Sequence, residues 1–185
     1  MSDSRDKMVR SAASLIGQRG MNATSFSDVL DDSGAPRGSI YHHFPDGKRQ
    51  LSECAMRLTS EQILSHLRAN TESSPSGVVR HFVSLFHEVV AASGGACGCA
   101  IAGVTIDATE NDDDLLLVAR EAFRAWEELL AAQLRDVGVA KEKAHGVAVI
   151  SVASIEGALI LCRAEGNDVP LAQVEEQLLA LFGEV

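Results

Sequence analysis

Between Thr24 and Lys48 the chain reads TSFSDVLDDSGAPRGSIYHHFPDGK: a short helical pattern, a stop, and a second helical pattern. Few folds accommodate that arrangement. Ser25 followed three residues later by Asp28 is a helix-start signal, and Phe26, Val29 and Leu30 give the helix that follows an inward face. Ser33-Gly34 stops it, because glycine takes the left-handed conformation that closes a helix at little steric cost. Pro36 suits the first turn of a new helix, where its missing N–H is not needed, so a second helix is expected from there. In it Ile40 and Phe44 lie one turn apart and point inward, while Arg37, Gly38, Tyr41 and His42 share the outward face. That face offers cationic, hydroxyl and imidazole donors to phosphates and base edges, and Gly38 leaves room for close backbone approach. Two short helices, a tight turn and a polar second helix make the helix-turn-helix geometry that reads DNA.

The same segment resembles the DNA-binding domain of the TetR/AcrR family of regulators. The family pattern is matched by Thr24, Ser25, Asp28, Val29, Ser33, Gly34, Gly38, Ser39, Ile40, Tyr41, His43, Phe44 and Lys48. The wording GAPRGS at 34–39 and the PDGK loop at 45–48 also resemble the subgroup that includes LmrA and YxaF-type regulators. Two departures stand out: Pro36 occupies a position where a capping serine is common, and Leu30-Asp31-Asp32 replaces a commonly alanine-rich stretch. The resemblance implies a ligand-released repressor that binds a palindromic double-stranded DNA operator as a homodimer. It implies that Arg37 and Gly38 approach base edges, with Ser39 as a polar contact and His42 as a second base-reading position. Tyr41, His43 and the Ser25 hydroxyl would bond phosphates, and Lys48 with the free N–H groups at the start of the next helix would hold another. Read without the resemblance, Tyr41 and His43 serve equally as packing groups, and Lys48 as a solvated charge.

The net charge of −10 looks wrong for such a protein until it is divided. Residues 1–70 hold nine Lys/Arg and eight Asp/Glu, a net of +1, whereas residues 71–185 hold seven and eighteen, a net of −11. An acidic body approaches a polyanion poorly, so only the N-terminal end is a credible DNA face, and two copies of it are needed for affinity. Apolar residues make up 46% of the chain and prolines number four, which disfavours disorder. No apolar run follows the start MSDSRDK, and the four cysteines suit a reducing compartment better than a disulfide framework. A cytoplasmic protein is expected.

Helical periodicity recurs along the chain and strand alternation does not, so the fold class is all-α with about nine helices. The first spans about 3–19, with Met8, Ala12, Leu15 and Ile16 at helical spacing. The reading pair follows, then a helix over about 47–69. NTESSPSG at 70–77 is the clearest loop. Further helices are expected over about 78–92, 113–137, 141–164 and 170–182, with a short small-residue segment at 96–108. Residues 1–48 thus form a three-helix DNA-binding domain, 47–69 a connecting helix, and 70–185 a helical effector-binding and dimerisation domain.

GVAVISVASIEGALILC at 146–162 is apolar nearly all the way round, with Glu156 its single charge. A helix of that kind is buried on more than one side. A membrane span needs about 20 residues and tolerates a glutamate badly, so no membrane partner is expected. Ser151, Ser154, Gly157 and Ala158 are small and allow close helix approach, while Leu171, Val174, Leu178, Leu181 and Phe182 repeat at matching spacing on the last helix. Paired across two copies, these helices make a four-helix interface, with Ser151, Ser154, Ala158, Val174 and Leu178 at its centre. The alternative is a central core helix in a monomer. A two-fold dimer sets its recognition helices ~34–36 Å apart, one turn of DNA, or a multiple of that.

Phe82, Phe86, Phe123 and Trp126 hold half of the aromatic residues and lie on two helices of the body. Aromatic walls suit an apolar or aromatic small effector, with His87, Thr105 and Glu127 as polar ends; equally, the rings simply fill a core. Cys97 and Cys99 near His81 and His87 raise a thiol- or metal-responsive alternative, but the ligand set lacks a second cysteine pair. The carboxylates of DATENDDD at 107–114 read as charge at a helix N-terminus rather than a calcium loop, since the glycine and the terminal glutamate of that loop are missing. No metal or cofactor is therefore expected. The chain carries no G-x-S-x-G, H-E-x-x-H, P-loop or dinucleotide fingerprint, so an enzyme is not expected. The remaining alternatives are a helical small-molecule-binding protein or enzyme with an incidental helix-turn-helix, and an interaction module that uses its helices to bind proteins.

Overall fold

A computed structural model describes residues 2–96 and 98–182. Among these the chain is all-α, with nine helices and no strand. The described chain divides into two compact units that do not follow chain order, and the division falls inside α4 (Gly47–Arg68) and α7 (Asp113–Asp136).

The first unit joins the residues up to Glu61 with Gly98–Ala122. It holds α1 (Ser2–Arg19), α2 (Phe26–Ser33), α3 (Ser39–His43), most of α4, α6 (Ala100–Asp107) and the start of α7. Met8, Ala12 and Ile16 form the buried stripe of α1, which packs against α2, α3 and α6. Its approach to α6 is set by glycine. A Cβ on Gly17 would lie 2.5 Å from the Gly98 carbonyl oxygen, and one on Gly103 would lie 2.7 Å from the Ile16 carbonyl oxygen. No real side chain tolerates such distances, so backbone meets backbone here. That contact draws 98–122 to the N-terminal helices, although the sequence reading groups it with the C-terminal body.

The second unit holds the end of α4 from Gln62, α5 (Pro75–Ser93), α7 from Phe123, α8 (Lys141–Glu165) and α9 (Val169–Ala180). α5 starts three residues before the expected position. The Ser74 hydroxyl accepts the Gly77 N–H at 3.1 Å, and Pro75 occupies the first turn, so the last three residues of the supposed loop, 75–77, are helix. α8 packs on α5 and α9 through Ala144, Val147, Ala148, Ser151, Val152, Ile155, Ala158, Leu159 and Cys162. Its other side leaves Val149, Ile150, Ile160 and Leu161 exposed. By length and composition alone α8 could cross a membrane, but one side of it is core packing.

Candidate nucleic-acid interface

α2 begins with the reciprocal cap that its sequence announces. The Ser25 hydroxyl accepts the Asp28 N–H at 3.2 Å, while the Ser25 N–H donates to the Asp28 carboxylate at 2.8 Å. The Ser25 O–H also donates to that carboxylate, at 2.6 Å, and Arg19 approaches it at 3.1 Å. The Ser25 hydroxyl first, its amide next, and then the Arg19 charge hold the Asp28 carboxyl below its ordinary value. The helix closes on Gly34 in the left-handed region at φ 64°.

The second helix departs from expectation. It begins at Ser39 rather than Pro36, and Pro36, Arg37 and Gly38 form a turn ahead of it. The reason is local: the Pro36 carbonyl takes both the Ser39 N–H at 2.9 Å and the Ser39 O–H at 2.6 Å, closing a tight turn before the helix proper. Arg37 is thus displayed on a turn, almost fully exposed, 3.9 Å from Asp31. Gly38 sits at φ −75°, which any residue adopts, and a Cβ added to it would meet nothing within 4 Å. Neither backbone geometry nor internal packing asks for glycine there.

Ile40 and Phe44 are fully buried, and the Arg5 guanidinium lies 5.5 Å from the centre of the Phe44 ring. Tyr41 is 69% exposed and meets the Phe26 ring edge-on at 5.6 Å, so α3 leans on α2 without burying its phenol. His42 is exposed and His43 half-buried, their rings 5.3 Å apart. One surface therefore presents Arg37, Gly38, Tyr41 and His42. Ser25 and Ser39 differ from them, because both hydroxyl protons are already given to partners inside the chain. Lys48 also has an internal partner: its ammonium donates to the Asn22 carbonyl at 3.1 Å, in the turn between α1 and α2. Burial pushes its pKa down, against the opposing pull of Asp107 and Asp28.

Two carboxylates of the 107–114 run find partners, Asn22 and Arg49, that the sequence does not single out. Asn22 donates its N–H to the Asp107 carboxylate at 2.7 Å. Arg49 makes a two-pronged bond to Asp114, its Nε at 2.9 Å from one oxygen and its second prong on the other. That bond holds the Asp114 carboxyl low, and Asp112 is held low mainly by the Thr109 amide and hydroxyl. Opposite charges at 48–49 and 112–114 are a charge signal for the second contact, although 65 residues separate its partners. The first joins residues 85 apart and has no local signature.

In the second unit the four aromatics fall into two edge-on pairs, each on its own helix: Phe82 with Phe86 at 5.3 Å and Phe123 with Trp126 at 5.2 Å. Trp126 is fully buried, and its indole N–H finds no acceptor among the described residues. His87 bonds Glu175 at 2.9 Å, and the Thr105 hydroxyl bonds the Ile101 carbonyl of its own helix at 2.7 Å. Of the residues expected at a dimer contact, Ser151, Ala158 and Leu178 are buried inside the chain, and Ser154 and Val174 are half-buried. Ser151, Ala158 and Leu178 thus pack within the chain, whereas Val149, Ile150, Ile160 and Leu161 of α8 stay exposed.

Cys97 lies outside the described residues. Cys99 is buried, and among the described residues no group of three or more His, Cys, Asp or Glu is placed to hold a metal ion. The histidines nearest in sequence are engaged elsewhere. His81 stacks on His66 with ring centres 4.1 Å apart and Nε2 2.8 Å from the His66 carbonyl oxygen, and His87 meets Glu175.

Two family models match the chain. That of the tetR family of bacterial regulatory proteins covers residues 9–53, and that of the C-terminal domain of LmrA/YxaF-like transcriptional regulators covers 75–177. An HTH-type transcriptional regulator of Mycobacterium tuberculosis is 33% identical over 98% of this chain and 95% of its own. The HTH-type transcriptional regulator YxaF of Bacillus subtilis is 28% identical over 97% and 95%. In structure, the regulatory protein TetR from Rhodobacter sphaeroides superposes with a TM-score of 0.85 over 96% of this chain and 97% of that one, at 18% identity, a likeness of fold.

Proposed function

The chain belongs to the TetR family of transcriptional regulators, in its LmrA/YxaF-like branch, and on that premise we propose a cytoplasmic repressor that binds a palindromic operator as a homodimer and leaves it when a small effector binds. The observation that carries this reading is Gly38. It is a glycine with an ordinary φ and open space around it, flanked by exposed Arg37, Tyr41 and His42. The chain itself gives no reason for the missing side chain; the close approach of a DNA backbone or base edge does. Arg37 and His42 read bases, and Tyr41 and His43 bond phosphates. Ser25 and Ser39 reach DNA only by giving up the bonds they make to Asp28 and Pro36, so they rank behind the others. Lys48 joins the phosphate set through an N–H that its bond to Asn22 leaves over, since an ammonium carries three donors.

A second copy covers the apolar side of α8. Val149, Ile150, Ile160 and Leu161 repeat at helical spacing on a helix already packed on its opposite side, and pairing two such stripes builds the four-helix interface. The effector is apolar or aromatic. The Phe82, Phe86, Phe123 and Trp126 rings support this, and so does the Trp126 N–H, since a buried donor without an acceptor costs about 1–3 kcal/mol that an effector oxygen can recover.

Selection from random-sequence and genomic duplexes tests the reading. Two inverted half-sites centred about one helical turn apart, or a multiple, are expected. Recovery of no enriched sequence at low salt would sink it.

A further inference from the structure

We propose that Asp107, the last residue of α6, is a positioning residue for DNA recognition that acts through the backbone of Asn22; the proposal rests on the DNA-reading role given above. Asn22 lies in the turn from α1 to α2, and that turn sets the angle at which the reading unit departs from α1. This one residue is held on both sides. Its N–H donates to the Asp107 carboxylate at 2.7 Å, and its carbonyl accepts from the Lys48 ammonium at 3.1 Å. Side chains from the end of α6 and the start of α4 therefore fix the same residue, one through its N–H and the other through its carbonyl.

Three further observations converge on this junction. Gly20, at φ 86°, makes the turn, and a Cβ there would lie 2.6 Å from the same Asp107 oxygen, so the glycine also leaves the space the carboxylate fills. The glycine contacts at Gly17 and Gly103 let α6 come against α1 closely enough for Asp107 to reach. Finally, a carboxylate at the C-terminal end of a helix faces the negative end of the macrodipole. Nothing within α6 favours an acid at that place. The gain lies in a short charge-assisted bond to the Asn22 amide and in the attraction that keeps Lys48 on the other side.

The acceptor must be of the right length as well as the right kind, and this gives a test. Binding to the duplex selected by the unaltered protein, and to a random-sequence duplex, is measured for Asp107→Ala, Asp107→Glu and Asp107→Asn, with a thermal melt of each. Asp107→Asn keeps an acceptor in place but gives up the charge, and is expected to lose clearly less binding to the selected duplex than Asp107→Ala. Asp107→Ala lacks the acceptor, and Asp107→Glu carries the charge but sets its carboxylate one methylene further from the α6 backbone, out of register with the Asn22 N–H. Both are expected to weaken selected-duplex binding about ten-fold or more, the scale of one lost bond to a charged group. The salt dependence should stay unchanged, because no phosphate contact is removed. Hydrogen exchange should show the Asn22 amide losing protection in the Ala and Glu variants and keeping it in Asn.

Should Asp107→Ala fail to fold, Asp107→Glu against Asp107→Asn still decides. Equal binding by Glu and the unaltered chain overturns the proposal in favour of a pure charge effect. Tighter binding by Ala or Asn overturns it in favour of Asp107 masking Lys48. Losses that match a drop in melting temperature in all three variants reduce Asp107 to a stability residue. If the unaltered protein selects no duplex, the DNA-reading role fails and this proposal with it; if it selects one and the variants bind alike, only the positioning role fails.

Discussion

Arg37 stands 3.9 Å from Asp31, so the cation displayed on the turn before α3 faces an anion carried by α2. Both side chains are largely exposed, and such a pair adds little to stability. It matters instead when a polyanion arrives, because Asp31 offsets charge that Arg37 brings. Asp31→Asn should tighten binding to operator and random duplex alike. Arg37→Ala should relax sequence preference by ~1–3 kcal/mol per half-site if Arg37 reads a base. Titrations with both duplexes check this; identical losses on the two would make Arg37 a phosphate contact.

The cap of α2 should respond to acid. Asp28 has its carboxyl held below the ordinary 3.8 by the Ser25 hydroxyl and amide. A folded-state value below the unfolded one means the cap contributes fully above the ordinary carboxylate range, and its contribution is lost as pH falls through the depressed value. Ser25→Ala should move the Asp28 carboxyl back up and lower the melting temperature at neutral pH. Carbon-detected NMR titration of Asp28 in the two proteins reads the first effect directly.

The two sides of α8 should answer differently to charge. Ile160 is 60% exposed and Ala158 only 1%. Ile160→Glu should give a folded monomer in sedimentation at micromolar concentration. Ala158→Arg should damage the protomer itself, since an unpaired charge buried in helix packing costs about 3–5 kcal/mol. A dimer that survives Ile160→Glu places the interface elsewhere.

Glycine-to-alanine changes should reverse sign between two helices. In α8 the Cβ of Gly146→Ala meets open space, so this variant should gain about 0.5–1 kcal/mol from helix propensity. In α1 the Cβ of Gly17→Ala strikes the Gly98 carbonyl, and overpacking of that kind costs about 1–3 kcal/mol. Calorimetric melts of the two variants should move in opposite directions.

Trp126 is the single tryptophan, buried edge-on against Phe123. Any compound that releases the operator should change its fluorescence saturably. A compound that releases DNA, leaves the emission untouched, and acts equally on Phe86→Ala and Trp126→Phe variants would move the effector site away from these rings.

Local chemistry was legible in the sequence where one residue's choice explains one feature. Ser25 and Asp28 announced the cap, Gly34 the stop, and Ile40 and Phe44 the inward face of α3. Pro36 misled because a proline fits both the first turn of a helix and a free-standing turn, and the Ser39 hydroxyl decided between them. Ser74-Pro75 hid a helix start inside a run of loop-forming residues. Of the small residues on α8, Ser151 and Ala158 are buried in packing while Gly157 faces open space, so smallness alone tells neither whether a neighbour is there nor whether it is the same chain or another. The grip on Asn22 was out of reach, since it joins α6, α4 and the first turn of the reading unit across 85 and 26 residues.

Gly17 and Gly98 also bear on how a chain like this can drift. With each residue's missing side chain occupied by the other's backbone, neither site changes alone without pushing α6 off α1. The two sites, 81 positions apart, therefore form one heritable unit. Among descendants of this sequence a larger residue at either place should arrive only with a compensating shift or shortening of the segment before α6. Glycine kept at both should mark the chains that still hold their Asn22 turn in the same grip.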